Sequence, residues 1–195
     1  LKTESNPVAR LIFSNLKKFY NYECDMKVIH NNNLRKKNIY EILIDEKISK
    51  QFCEDTHTST SPFDFDLGID EKIIDSNVKK ISFLQGAFLG TGFCYDPSKM
   101  YHLEIIFKQE NVGMQVKDML YGFGIKSSIF ERNENYVLYI KEAEAISDFL
   151  SLTKAYNSVL KLENVRALKD IKNNVNRRFN FETANLNKTV DAALK

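Results

Sequence analysis

Cys53 and His57 stand four residues apart, a spacing at which two side chains on one helical face can share a metal ion. No second pair at zinc spacing follows, which leaves a buried cysteine and a loop histidine as the plainer reading. His102 precedes an alternating apolar segment with no Ser or Cys partner in view, and reads as structural. Asp96 stands directly before Pro97 and reads as a turn residue. Gly122-Phe123-Gly124 closes a helical pattern and suits a C-terminal cap. It is no phosphate loop, since no Gly-Lys-Ser/Thr follows. Nucleic-acid contact is better provided for. Arg35-Lys36-Lys37 falls in one hairpin loop and Arg132 at the turn of another, with Lys27 and Lys126 near neighbouring strands. Arg177-Arg178, among Asn174, Asn176 and Asn180, falls at the end of a long helical pattern. Such cations neutralise phosphates, and Asn amides bond base edges or backbone. The competing reading is that basic hairpin tips serve solubility and that Arg near a helix C-terminus suits the dipole. Glu131 and Glu134 dilute the charge beside Arg132.

The elements that would position these groups repeat. Leu1-Lys2-Thr3-Glu4 resembles Phe107-Lys108-Gln109-Glu110 at an offset of 106. Val8, Ile12, Leu16 and Phe19 lie on one helical face, and Val112, Val116, Leu120 and Phe123 repeat that spacing at an offset of 104. The difference is assigned to the turn at Ser5-Asn6-Pro7. Met26–Ile29 and Ile39–Ile44 read as one hairpin, and Ser128–Glu131 and Tyr136–Ile140 as a second. Leu103–Phe107 opens the second copy as a strand. Between the copies, short helices are expected near Phe65–Leu67 and Glu71–Asp75, then a helix from Ile81 to Leu89 containing Gly86 and Gly90. Two glycines four apart weaken an isolated helix and make sense where another backbone comes close. Beyond Lys141 the pattern is helical to about Asn180, and residues 181–195 read as a linker.

Composition bounds the function. The 195 residues, 43% apolar and 28% charged, make one domain with a real core or two small ones. The net charge of +2 excludes a wholesale polycation. Residues 1–50 carry ten basic and six acidic side chains, 51–78 one against seven, and 154–195 nine against four. Basic ends flanking an acidic middle could steer a polyanion, or they could be ordinary solvated faces. Three separated cysteines argue against a disulfide scaffold and for a reducing compartment. No apolar run is long enough to span a bilayer. The start lacks Met and a signal pattern, and reads as processed or truncated.

Several segments together resemble one family: Leu84-Gln85-Gly86-Ala87-Phe88-Leu89-Gly90-Thr91-Gly92, Asp96-Pro97, Tyr101-His102-Leu103-Glu104-Ile105, Tyr139-Ile140-Lys141-Glu142 and Ile146-Ser147-Asp148-Phe149-Leu150. Glu163-Asn164-Val165-Arg166 and Glu182-Thr183-Ala184-Asn185-Leu186-Asn187-Lys188-Thr189-Val190 extend the match. They resemble the bacterial WhiA regulators, strongly from about Ile81 to Leu194 and mainly by repeat pattern over residues 1–80. The resemblance implies an α+β fold: a LAGLIDADG homing-endonuclease-like saddle with a pseudo-twofold repeat and helices on one face of antiparallel sheets. Leu84 to Gly92 matches the second motif helix. The first is expected before Leu1 and a helix-turn-helix after Lys195. Homing endonucleases of this fold hold divalent metal with a carboxylate ending each motif helix, and here that metal position is Thr91, a neutral hydroxyl.

The resulting expectation is a non-catalytic domain of a DNA-binding transcriptional regulator, with family roles in sporulation and cell division, located in the cytoplasm on the nucleoid. No catalytic residue, metal or cofactor is assigned. The expected partner is double-stranded DNA, held by Lys27, Arg35, Lys36, Lys37, Lys126, Arg132, Arg177 and Arg178. Gly86 and Gly90 are expected to pack the motif helix on a second helix, a protein partner or another copy; no membrane is involved. The expected divisions are residues 1–50 as the first repeat, 51–78 as an acidic linker, 79–180 as the second repeat and 181–195 as the linker onward. The alternatives are a protein- or ligand-binding scaffold that leaves DNA to the helix-turn-helix, and an active homing endonuclease, which Thr91 disfavours.

Overall fold

The computed structural model describes residues 1–30, 38–58 and 68–193. Its first half runs β1 (Lys2–Thr3), α1 (Asn6–Tyr20), β2 (Asp25–His30), β3 (Asn38–Leu43) and α2 (Glu46–Asp55). A short turn of 3-10 helix, Glu71–Ile73, leads to α3 (Asn77–Thr91) and β4 (Gly92–Cys94). The second half follows as β5 (Leu103–Phe107), α4 (Glu110–Gly122), β6 (Ser128–Arg132), β7 (Asn135–Ile140), α5 (Ala143–Leu152) and α6 (Tyr156–Ala193). Both sheets are antiparallel, ordered β1-β3-β2 and β4-β5-β7-β6. With β5, β7 and β6 in the places of β1, β3 and β2, the repeat is a repeat of topology.

Local chemistry sets the ends of these elements. Ser5 accepts a hydrogen bond from the Val8 amide and Pro7 sits in the first turn, which together start α1. Asn21, left-handed at φ 50°, ends it. Gly124, at φ 79°, provides the left-handed turn after α4 that a side chain would disfavour, as the glycine spacing predicts. Asn133 and Glu134 both have positive φ between the paired residues Arg132 and Asn135, which gives the second hairpin a tight two-residue connection.

Alternation along the strands decides which face is buried. Tyr40, Ile42 and Ile44 turn to a small core with Ala9, Leu16, Cys24 and Ile48. Tyr136, Leu138 and Ile140 turn to a larger one with Leu84, Leu103, Ile105, Leu120, Phe149 and Leu162. Helices therefore cover one face of each sheet.

Two expectations need correction, and two elements were not foreseen. The register places Thr3 opposite Tyr40 and Phe107 opposite Tyr136, so the opening strands already carry the offset of 104 that relates the helix starts Asn6 and Glu110. The apparent offset of 106 came from side-chain likeness at a strand end; face parity forbids neither, but cross-strand pairing fixes 104. Asp45 accepts a hydrogen bond from the Ile48 amide and starts α2, which runs through residue 50 into the acidic stretch. β4 was not foreseen, being three residues seated on the edge of β5. The last helix does not stop near Asn180 but continues to Ala193, because residues 181–193 contain no Gly or Pro to end it. Phe65–Leu67 lies outside the described residues.

Candidate nucleic-acid interface

The faces turned away from the helices hold two of the predicted contact residues, Lys27 and Arg132, with Lys126 just before β6. On the first sheet Lys27 lies opposite Glu41 and is exposed, and Lys2 reaches Glu41 at 3.0 Å. On the second sheet the outward positions are Phe93 (β4), Glu104 and Ile106 (β5), Val137 and Tyr139 (β7), and Ser128, Phe130 and Arg132 (β6). Tyr95, His102 and Lys141 continue that face just beyond the strand ends.

Glu104 is a buried carboxylate on this face, its side chain only 9% exposed, with Val137 beside it fully buried. Arg132 Nη2 donates to its Oε1 at 3.3 Å, and His102 Nε2 lies 3.3 Å from Oε2. Arg132 is thus not a free hairpin tip. Its guanidinium folds back across the sheet over Phe130, at 5.9 Å from the ring centre, and stays 45% exposed. His102 Nδ1 is buried without a hydrogen-bond partner. Around Glu104 runs a row of rings. Phe93–Tyr95, Tyr95–His102, His102–Tyr139 and Tyr139–Phe130 have centres 4.8, 5.0, 5.9 and 5.4 Å apart, so the row crosses the sheet from β4 to β6. Sequence reasoning missed Glu104 and this row; the available signal was the i, i+2 repetition of Phe93/Tyr95, Phe130/Arg132 and Tyr139/Lys141, which puts each pair on one face of a strand.

Lys126 lies at the other end of the face. It lines a cleft of about 570 Å³ with Lys117, Lys141, Ser127, Asp118 and Glu142. Arg177 and Arg178 are exposed on α6, far along the helix, and Arg178 Nε donates to Glu182 at 3.0 Å. They do not join the sheet residues in any described contact. Arg35, Lys36 and Lys37 lie outside the described residues.

The motif helix is α3. Leu84 is fully buried in the second core, while Gly86 and Gly90 are exposed, with nothing within 4 Å of where a Cβ would stand. Thr91 is its last residue, exposed, with its hydroxyl donating to the Ala87 carbonyl at 3.4 Å. Asp96 bonds the Ser98 amide and holds a turn, and that bond lowers its carboxyl below the usual range. Among the described residues no three His, Cys, Asp or Glu side chains gather as metal ligands. Cys53 ends up beside an apolar groove, and His57 pairs with Asp70 at 3.4 Å instead of with Cys53. Burial pushes the Cys94 thiol up, against the nearby Lys161.

This geometry, two sheet faces beneath paired helix-strand-strand units and a glycine-bearing helix, agrees with sequence comparison. Residues 1–58 match the WhiA N-terminal LAGLIDADG-like domain and residues 80–172 the WhiA LAGLIDADG-like domain. The chain belongs to the WhiA family. Relatives named probable cell division protein WhiA, from Clostridium perfringens and Clostridium tetani, are each 37% identical over the whole of this chain. The chain spans 63% of their length. Full-length DUF199/WhiA from Thermatoga maritima has the same fold, with a TM-score of 0.66 at 22% identity over 98% of this chain and 60% of that one. The homing endonuclease I-DmoI, crystallised with its target DNA, shares the fold at a TM-score of 0.53 and 14% identity over 78% of each chain. No described helix of this WhiA-family chain is long and apolar enough to cross a membrane.

Proposed function

We propose that this chain is a non-catalytic, DNA-binding module of a WhiA-type regulator acting in cell division and sporulation, working on the nucleoid in the cytoplasm. In this reading residues 1–50 and 79–180 are the two repeats, joined by the acidic stretch 51–78, and 181–195 leads to a helix-turn-helix. The observation that supports it is the pair of helix-free sheet faces carrying Lys27 on the first and Arg132 and Lys126 at opposite ends of the second. Arg177 and Arg178 on α6 add phosphate contacts, and Arg35, Lys36 and Lys37 belong to the same reading by their charge alone. The relatives' name supports the role in cell division, and the shared fold of a DNA-bound endonuclease supports duplex DNA as the partner. Thr91 supports the absence of nuclease chemistry, since a neutral hydroxyl cannot replace a metal-binding carboxylate. A second reading, a scaffold for a protein partner, is favoured by the exposed Gly86–Gly90 face.

Two measurements test the proposal. Fluorescence anisotropy with unrelated duplexes should show weak binding that falls steeply with salt. Replacing Lys27, Lys126 and Arg132 with Ala should weaken all duplexes alike and flatten the salt slope by roughly one unit per lost phosphate contact. No duplex binding at low salt would transfer the function to the protein-scaffold reading. Incubation with supercoiled plasmid and Mg²⁺ or Mn²⁺ should leave it intact, and reproducible nicking that a Thr91→Ala variant loses would overturn the non-catalytic assignment.

A further inference from the structure

The outer face of the β4-β5-β7-β6 sheet is unlike that of the first sheet. Cross-strand pairing makes Lys27 the counterpart of Phe130, Leu43 of Tyr139 and Lys2 of Ile106. Where the first face mixes Lys2, Lys27 and Glu41 with aliphatic Ile29, Ile39 and Leu43, the second carries the five-ring row Phe93, Tyr95, His102, Tyr139 and Phe130. Phe93 is 54% and Phe130 42% exposed, at the two ends of the row. A Phe has no donor or acceptor with which to read a base edge, and within a duplex the base faces are already stacked on one another. An open ring on a sheet does suit the π-face of an unstacked base, whatever its identity.

Cations flank the rings as a phosphate backbone would require. Arg132 lies over Phe130, and Lys141 Nζ stands 4.8 Å from the Tyr139 ring centre. Tyr139 and Lys141 also line the cleft that holds Lys117 and Lys126. Among the described residues, neither Lys117 nor Lys126 makes an ion pair or hydrogen bond, although Asp118 and Glu142 line the same cleft. Ser127 Oγ, also in its lining, is buried without a partner. Glu104 does not oppose a polyanion as a bare charge would, being buried and neutralised by Arg132.

We propose that this face binds single-stranded nucleic acid, stacking unpaired bases on Phe93 and Phe130 while Lys141, Lys126 and Lys117 track the phosphates. The site goes beyond the duplex binding proposed above and does not depend on it. The test is anisotropy of the whole 195-residue chain with labelled oligo-dT, oligo-U and a mixed-sequence duplex at fixed salt. Oligo-dT and oligo-U share the stacking chemistry, and their comparison shows whether the sugar is read. The single strands should bind more tightly than the duplex. Phe93→Leu and Phe130→Leu, which keep apolar bulk and lose the ring, should each weaken single-strand binding about tenfold and leave the duplex unchanged. Phe130→Tyr, which keeps a ring, should retain the affinity and shows that the effect is stacking. Single strands that bind no better than the duplex, or Leu variants that bind them as the parent does, would overturn the proposal. No single-strand binding at all would also overturn it and leave the row to a protein partner, while the duplex arm judges the DNA-binding reading separately.

Discussion

Glu104 could sit on an open sheet face only because two neighbours compensate it. A carboxylate buried without partners costs several kcal/mol, and here Arg132 and His102 face its two oxygens. Arg132→Ala should therefore destabilise the chain by about 1–2 kcal/mol in urea unfolding, less than for a fully buried pair because the guanidinium is half exposed. Glu104→Gln added to that variant should recover part of the loss, since an amide tolerates the site without a counter-ion. A double variant no more stable than Arg132→Ala would show that the pair is not coupled. Glu163 permits a pH test. A hydrogen bond from Ser147 on α5, and then Arg166, hold its carboxyl below the usual range. A folded-state pKa that is depressed adds stability above the unfolded value, and that stability is lost as pH falls through the folded one. Glu163→Gln should reduce the loss of stability on acidification by up to about 1 kcal/mol, leaving the share due to other carboxyls; an unchanged acid limb would remove the linkage.

At the scale of elements, α6 divides into two parts. Leu162 is buried in the second core, and Lys169 reaches the Pro97 carbonyl at 2.7 Å. From residue 170 to 186 every position is exposed, including Leu168's successors Ile171, Val175 and Phe179 on one face. Ala184→Pro should break the helix locally, at about 3 kcal/mol, with loss of far-ultraviolet helical signal. The melting temperature of the rest should not move, because the affected turns touch none of the core. A lowered melting temperature would show that the distal half of α6 is part of the cooperative unit. The helices, strands and turns themselves were mostly legible, because periods of 3.6 and 2 survive in sequence. α2 was hidden by its charge: its apolar residues are few, and its start depends on the Asp45 cap more than on an apolar stripe. β4 was hidden by its brevity.

At the scale of the whole molecule, two apolar surfaces beside the motif helix and the first core are not covered by any described residue. One is the α3 face of Val78, Gly86, Leu89 and Gly90, with Val78 74% exposed. The other is a groove of about 890 Å³ among α1, β3 and α2, lined by Ile12, Leu16, Ile42 and Phe52. Ile12, Leu16 and Ile42 are the counterparts of Val116, Leu120 and Leu138, which in the second half pack with Leu84 of α3. The family resemblance implies a partner for α3, the first motif helix, and such a helix would fit both surfaces. In a protein with both motif helices, Gly86→Leu should lower stability by about 1–3 kcal/mol through overpacking. In the present chain the same change should cost no packing, since no described atom lies within 4 Å. Equal effects in the two would mean that no helix packs there. The exposed face should also make this chain associate as its concentration rises, readable by analytical ultracentrifugation.

The sequence by itself carried the repeat in its spacing, and the resemblance of its motifs to one family implied the α+β class and the motif helix with Thr91 at its end. It also located Arg132, Lys126 and Lys27 on or beside the right strands. Only the tertiary structure decided what those residues do there. Cross-strand pairing moved the opening offset from 106 to 104 and brought Arg132 to Glu104, and packing paired His57 with Asp70. The row from Phe93 to Phe130 joins residues up to 37 positions apart through pairings of β4, β5, β7 and β6, and contacts of that kind have no period along a chain from which they could be read.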